Sequence, residues 1–125
     1  MRAGKMTAGF LDAFAEAFNR HDVEAILAAM TEDCVFEASA GPDVCGRRYE
    51  GPREVGKAFA EVFETFPDAQ WRGARHFLIG DRGLSEWTFS GTRVDGTRVE
   101  VTGCDIFTFR DGKIAVKNSY RKQRT

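Results

Sequence analysis

The sequence is short of the residues that build metal centres and disulfide frameworks. It holds two histidines, far apart, and three cysteines, Cys34, Cys45 and Cys104. The thiols are odd in number and lack metal-ligand spacing, so they read as reduced side chains of a cytoplasmic protein, and no metal site is expected. No stretch approaches the ~18 consecutive apolar residues of a membrane helix. The stretch Met1–Phe10 lacks an apolar h-region, so neither a membrane nor a leader is expected. There is no Walker loop, no Gly-x-Gly-x-x-Gly and no nucleophile elbow, and hence no implied cofactor. An excess of one charge is missing too: 18 basic against 19 acidic side chains give −1. That balance argues against a nucleic-acid partner.

Phenylalanine is abundant instead, with 11 Phe against 2 Tyr and 2 Trp. Phe brings ring area without a polar handle. So many rings imply either a large core or a greasy cavity. The 125 residues suffice for one domain, 1–125, and the 42% apolar and 30% charged fractions are those of a globular chain.

Period 3.6 governs the first half. Phe10, Phe14 and Phe18 recur every four residues beside Leu11, which predicts a helix over 7–20 capped by Thr7. Asp22 is placed to cap a short helix carrying Val23, Ile26, Leu27 and Met30. Cys34 to Ala38 reads as a strand and Ser39 to Gly51 as a loop. Gly51-Pro52 opens a third helix with the stripe Val55, Phe59, Val62, Phe63, Phe66, and Pro67 stops it. Beyond residue 70 the period falls to 2. Strands are predicted at 71–79, 84–93, 97–109 and 113–121, with turns at Asp81-Arg82-Gly83, Asp95-Gly96 and Asp111-Gly112. Helices followed by a meander indicate an α+β fold, three helices packed on one face of a curved, mainly antiparallel sheet.

The strand over 97–109 is the most informative. Val99, Val101, Gly103, Asp105, Phe107 and Phe109 share one face. Asp105 is thus a carboxylate on an apolar face, which is costly unless it is paired, hydrogen-bonded or neutralised.

The segments 14–27, 31–37, 49–55, 87–92 and 105–114 together resemble the nuclear transport factor 2-like superfamily, and the last two its SnoaL-like branch, over about residues 8–121. That resemblance implies a cone-shaped fold with a pocket between helices and sheet. It also implies a homodimer through the outer sheet face, formed by residues such as Cys104 and Ile106. The superfamily hosts isomerases, cyclases, hydrolases, dehydratases and binding modules, so fold does not fix function. Ketosteroid isomerases would place a general base at Ala38, an oxyanion-holding Tyr at Phe14 and a protonated Asp at Asp105; only the last is matched. The polyketide cyclase pattern puts its catalytic Asp at Ser119 and its His at Asp105. Limonene epoxide hydrolases also have an Asp at the Ser119 position.

The partners of Asp105 depend on hairpin register. A two-residue Asp95-Gly96 turn sets Glu86 opposite Asp105, with Thr88 and Ser90 on the pocket face; a three-residue turn puts Trp87 and Phe89 there. A three-residue Arg110-Asp111-Gly112 loop sets Lys117 opposite Asp105 and Ser119 opposite Gly103; a two-residue turn sets Asn118 and Tyr120 there. Apolar periodicity favours Trp87 and Asn118, and the family pattern favours Glu86 and Lys117. In the family register Asp105, Glu86 and Lys117 form a cross-strand cluster fit to exchange protons with a carbonyl or hydroxyl substrate, or a buried ion pair that merely orders the sheet. His76, on a predicted strand, is a further candidate base. Tyr49, at the cone mouth, and Phe14, Phe59, Phe107 and Phe109, on the walls, are candidate contacts for a hydrophobic small molecule. Arg47-Arg48 and the basic tail Arg121-Lys122-Gln123-Arg124 read as solvated ends, with a patch for an anionic ligand or a partner as the sharper alternative. Two functions follow: a cofactor-independent acid/base enzyme acting on a hydrophobic substrate, or a binding or dimerisation domain of the same fold.

Overall fold

A computed structural model describes residues 6–125. The first five residues, part of the Met1–Phe10 stretch read above for a leader, lie outside it. The chain runs α1 (Ala8–Asn19), α2 (Val23–Ala28), β1 (Met30–Glu37), β2 (Arg48–Glu50), α3 (Gly51–Thr65), β3 (Gln70–Ile79), β4 (Arg82–Thr92), β5 (Arg98–Arg110) and β6 (Lys113–Arg121). The six strands form one sheet in the order β2-β1-β6-β5-β4-β3, antiparallel except for the β1–β6 pair.

Local chemistry sets the helix ends as expected. The Thr7 hydroxyl accepts the Phe10 N–H, and the Asp22 carboxylate accepts the Ala25 N–H. Pro52 occupies the first turn of α3, where its missing N–H costs nothing. Helix α1 lies against β3 and α3 against β1, so the two helices roof the inner sheet face. Between them, Leu11, Phe14, Phe18, Phe36, Phe59, Phe107, Phe109 and Ile114 make the main core. A second cluster of Phe66, Ala69, Trp87, Phe89 and Val101 fills the far end of the sheet.

Three local expectations change. The first strand starts at Met30 rather than Cys34. The segment read as loop contains β2, which pairs Tyr49 with Phe36. The turn read at Asp81-Arg82-Gly83 is carried by Gly80, at φ 56, and Asp81, so Arg82 and Gly83 belong to β4.

Both hairpins near Asp105 also differ from the family register. After β4, the Arg93 N–H meets the Thr97 carbonyl, so the loop has three residues, Val94-Asp95-Gly96, with Gly96 at φ 93. Glycine there supplies the left-handed residue that a three-residue hairpin requires. Ser85 therefore faces Asp105, while Glu86 faces Cys104. After β5, Asp111 and Gly112 both have positive φ and make a two-residue turn with Arg110 opposite Lys113. A register shift between Thr108 and Phe109 then leaves Ala115 as an extra residue on β6. It moves Ser119 opposite Asp105 and Lys117 opposite Phe107.

Candidate functional site

Alternation along the corrected registers fixes what each strand turns inward. β5 presents Val101, Gly103, Asp105, Phe107 and Phe109; β4 presents Ser85, Trp87 and Phe89; β6 presents Lys117, Ser119 and Arg121. Asp105 lies at the centre, with 8% of its side chain exposed against 6% for Lys117. Lys117 Nζ donates to Asp105 Oδ1 at 3.0 Å and to Ser119 Oγ at 2.9 Å. The Ser119 hydroxyl donates to the same Oδ1 in a short bond, and Trp87 Nε1 donates to Oδ2 at 3.0 Å. Three donors, one of them a cation, thus offset the desolvation of the carboxylate. The ammonium also stands 4.8, 5.0 and 5.7 Å from the ring centres of Phe18, Phe36 and Phe59. An ammonium has three N–H bonds. The third has no oxygen or nitrogen partner among the described residues and lies within this aromatic cage.

The cluster borders two spaces. A cavity of about 240 Å³ opens between α3 and the sheet; Phe36, Tyr49, Phe59, Lys117, Ser119 and Arg121 are among its walls. A smaller space of about 20 Å³ lies under α1, beside Phe14, His76, Ser85, Asp105 and Phe107. It is roomy enough for one water and no more. Phe18, Trp71, Trp87 and Lys117 border both. A wider depression of about 680 Å³ runs over the outer sheet face past Arg75, Glu86, Thr88 and Cys104. It shares Trp87 and Arg121 with the cavity but reaches none of Asp105, Lys117 and Ser119, so the cavity beside α3 is the better candidate.

Sequence-predicted residues divide accordingly. Lys117, Ser119, Tyr49 and Phe59 meet at the larger cavity, and Asp105, His76, Phe14 and Phe107 at the smaller one. Glu86 does not join them: it is half exposed on the outer face, with Arg75 Nη2 3.5 Å away. The three-residue hairpin turned it outward, and Thr88 and Ser90 share its parity, opposite Thr102 and Glu100. Phe109 packs in the core beyond both spaces.

His76 is buried in a chain that no local pattern could reveal. Its Nδ1 is 2.7 Å from Ser85 Oγ, and its Nε2 is 2.9 Å from Asp12 Oδ1, 64 residues away in sequence. Asp12 is largely exposed, so the chain runs from the inner space to the surface. Trp71, Trp87, Phe18 and Phe36 were also not assigned to the site. The alternative hairpin register carried the signal for Trp87, but Phe18 and Phe36 read simply as apolar positions. Cys104 lies on the outer face, where burial pushes its thiol up, with Asp105 and Glu86 adding to the shift. It is held as the weakly nucleophilic thiol.

Gly103 is what admits Trp87 to the cluster. A Cβ there would meet the Tyr120 carbonyl oxygen at 2.4 Å and two Trp87 ring carbons at 2.6 and 2.7 Å. Gly103→Ala is expected to cost about 1–3 kcal/mol by overpacking. It would also push the indole off Asp105 and redshift tryptophan emission. Urea unfolding with fluorescence detection measures both effects; unchanged stability and emission would refute this account of the glycine.

Comparison with known proteins agrees with this architecture. The profile of the SnoaL-like domain matches residues 11–117. No curated protein matches the chain. Among solved structures, a protein of Xanthomonas campestris pv. campestris, assigned provisionally as a polyketide cyclase, is 25% identical with a TM-score of 0.80, covering 91% of this chain and 88% of that one. A Pseudomonas putida KT2440 protein with the same provisional assignment is 20% identical with a TM-score of 0.83, covering 95% and 93%. TerC, solved with polyporic acid, is 22% identical with a TM-score of 0.76, covering 91% and 89%. The latter two bear on the fold alone. With the cone of helices on a curved sheet, and a family match over most of its length, the chain belongs to the SnoaL-like domain family of the nuclear transport factor 2-like superfamily.

Proposed function

We propose that the 240 Å³ cavity takes a hydrophobic, largely aromatic small molecule bearing a carbonyl or hydroxyl oxygen, and that Asp105 and Lys117 carry proton transfer at that group. The observation behind this reading is the caged ammonium. Burying an ion pair is seldom better for stability than apolar residues of the same shape. Here Lys117 stands in the wall of the cavity with an N–H left over, and Asp105 lies behind it, bonded to both Lys117 and Ser119. A substrate oxygen accepting that N–H would have its developing negative charge held by Lys117. The proton leaving the adjacent carbon or hydroxyl would pass to the Ser119 oxygen as the Ser119 hydroxyl gives its own proton to the Asp105 carboxylate. Return of that proton to another atom of the substrate completes an isomerase-, cyclase- or lyase-type step without a cofactor. The ketosteroid isomerase arrangement is not the basis for this reading, because Phe14 and Ala38 offer neither phenol nor base.

One observation favours a second reading. Among the described residues no fully buried side-chain nitrogen or oxygen lacks a hydrogen-bond partner, as suits a domain that captures ligand without converting it. Deuterium exchange separates the two. Aryl ketones and hydroxyquinones that raise the melting temperature would be incubated in D₂O and followed by NMR. The enzyme reading expects exchange at the carbon beside the oxygen, at least 100-fold slower in Asp105→Asn with binding retained. Capture of ligands with no exchange above background would leave the binding reading in place.

A further inference from the structure

β6 turns a second cation into the cavity, and it is an odd one. Arg121 follows Lys117 and Ser119 on the inward face and lines the same space. Its guanidinium lies 4.4 Å from the centre of the Phe89 ring. Among the described residues it forms no ion pair. Burial and the charge of Arg93 both push its pKa down from the ordinary arginine value. Arg93 stacks in turn on Phe66 at 4.9 Å, and the Phe66 and Phe89 rings meet edge to face at 5.1 Å. Two guanidinium groups therefore share one aromatic cluster. Neither acid of this region pairs with it: Asp68 accepts the Thr92 N–H and faces Arg98 Nη1 at 3.4 Å, and Glu61, which lines the same cavity from α3, forms no ion pair among the described residues.

A partly desolvated guanidinium beside a second one, with no carboxylate paired to it, is unfavourable in the empty protein. An anion placed there would relieve both the repulsion and the lost hydration. Guanidinium presents a planar fork of donors suited to a carboxylate, sulfonate or phosphate oxygen pair. Residues 117 and 121 lie four apart on a strand, roughly 13 Å between backbones. That span fits a bicyclic aromatic body between one polar group at Lys117 and another at Arg121.

We infer that Arg121 is a specificity-determining residue that selects aromatic ligands carrying an acidic group at the end remote from Lys117. This rests on the cavity reading above and narrows it from hydrophobic molecules in general to amphipathic anions.

The test uses two dyes of one skeleton, anilinonaphthalene sulfonate and phenylnaphthylamine, which lacks the sulfonate. The chain has 2 Trp, and both line the cavity, so energy transfer from tryptophan to dye reports occupancy. Wild type is expected to bind the sulfonate at least 10-fold more tightly than the neutral dye. Arg121→Gln is expected to erase that preference, chiefly by weakening the sulfonate, and Arg121→Lys to restore part of it. Melting curves establish that each variant is folded. An equal affinity for the two dyes, or a preference untouched by Arg121→Gln, overturns the anion inference and leaves the cavity reading standing. Absence of energy transfer to either dye overturns both.

Discussion

Replacing Lys117 by Met is expected to destabilise the protein by about 3–5 kcal/mol, because it leaves the Asp105 carboxylate buried without its counter-ion. The geometry sets the size of the effect. Lys117 Nζ stands 3.0 Å from Asp105 Oδ1, and both side chains are more than nine-tenths buried. Trp87 and Ser119 would still donate to the carboxylate. Two neutral hydrogen bonds do not replace a full charge in an apolar surrounding. Methionine fits beside the Phe18, Phe36 and Phe59 rings, so packing loss is small and the charge is isolated as the cause. Urea unfolding measures the loss, and the double variant Asp105→Asn/Lys117→Met provides the control. If the carboxylate is responsible, the double variant regains most of the stability. A Lys117→Met protein as stable as the parent at neutral pH would refute the buried-charge account.

Phe59→Ala is expected to be nearly as damaging, at about 3–5 kcal/mol for a fully buried ring. Phe59 is 1% exposed and joins α3 to the sheet. Its ring lies 4.9 Å from that of Phe18 and 4.8 Å from that of Phe36. The void it leaves would open into the existing cavity, so solvent can enter and the lower half of the range is the better expectation. The same change removes one wall of the ammonium cage. Unfolding curves give the stability change, and tryptophan-to-dye transfer reports whether a bulkier ligand now enters. A loss below about 1 kcal/mol would mean the ring packs against nothing essential, contrary to the usual cost of such truncations.

The first prediction turns on which residues surround Asp105, and there the sequence carried less than it carried for the fold. Period-3.6 stripes with Thr7 and Asp22 in capping positions placed α1 and α2 closely. Alternation placed β3 to β6 within about two residues at each end, because a half-buried strand must repeat every second residue. The inward face of β5 was legible for the same reason, and with it the isolated carboxylate.

Register was not legible, because it depends on backbone conformation in two turns. Gly96 at positive φ lengthened one loop by a residue and sent Glu86 outward. Ala115 inserted an extra residue in β6 and brought Ser119 opposite Asp105, a pairing that neither turn length alone produces. Lys117 still reached the carboxylate, since a long side chain spans the diagonal to a neighbouring pair.

By itself, the sequence determined the three helices, the strands other than β2, their order and the presence of one buried acid, all of which follow from local periodicity and capping. Only the tertiary structure decided that acid's surroundings. Phe18 from α1, Phe36 from β1 and Phe59 from α3 converge on one ammonium, and His76 reaches Asp12 across the molecule. Such convergence is set by how helices seat on a twisted sheet, and no spacing along the chain encodes it.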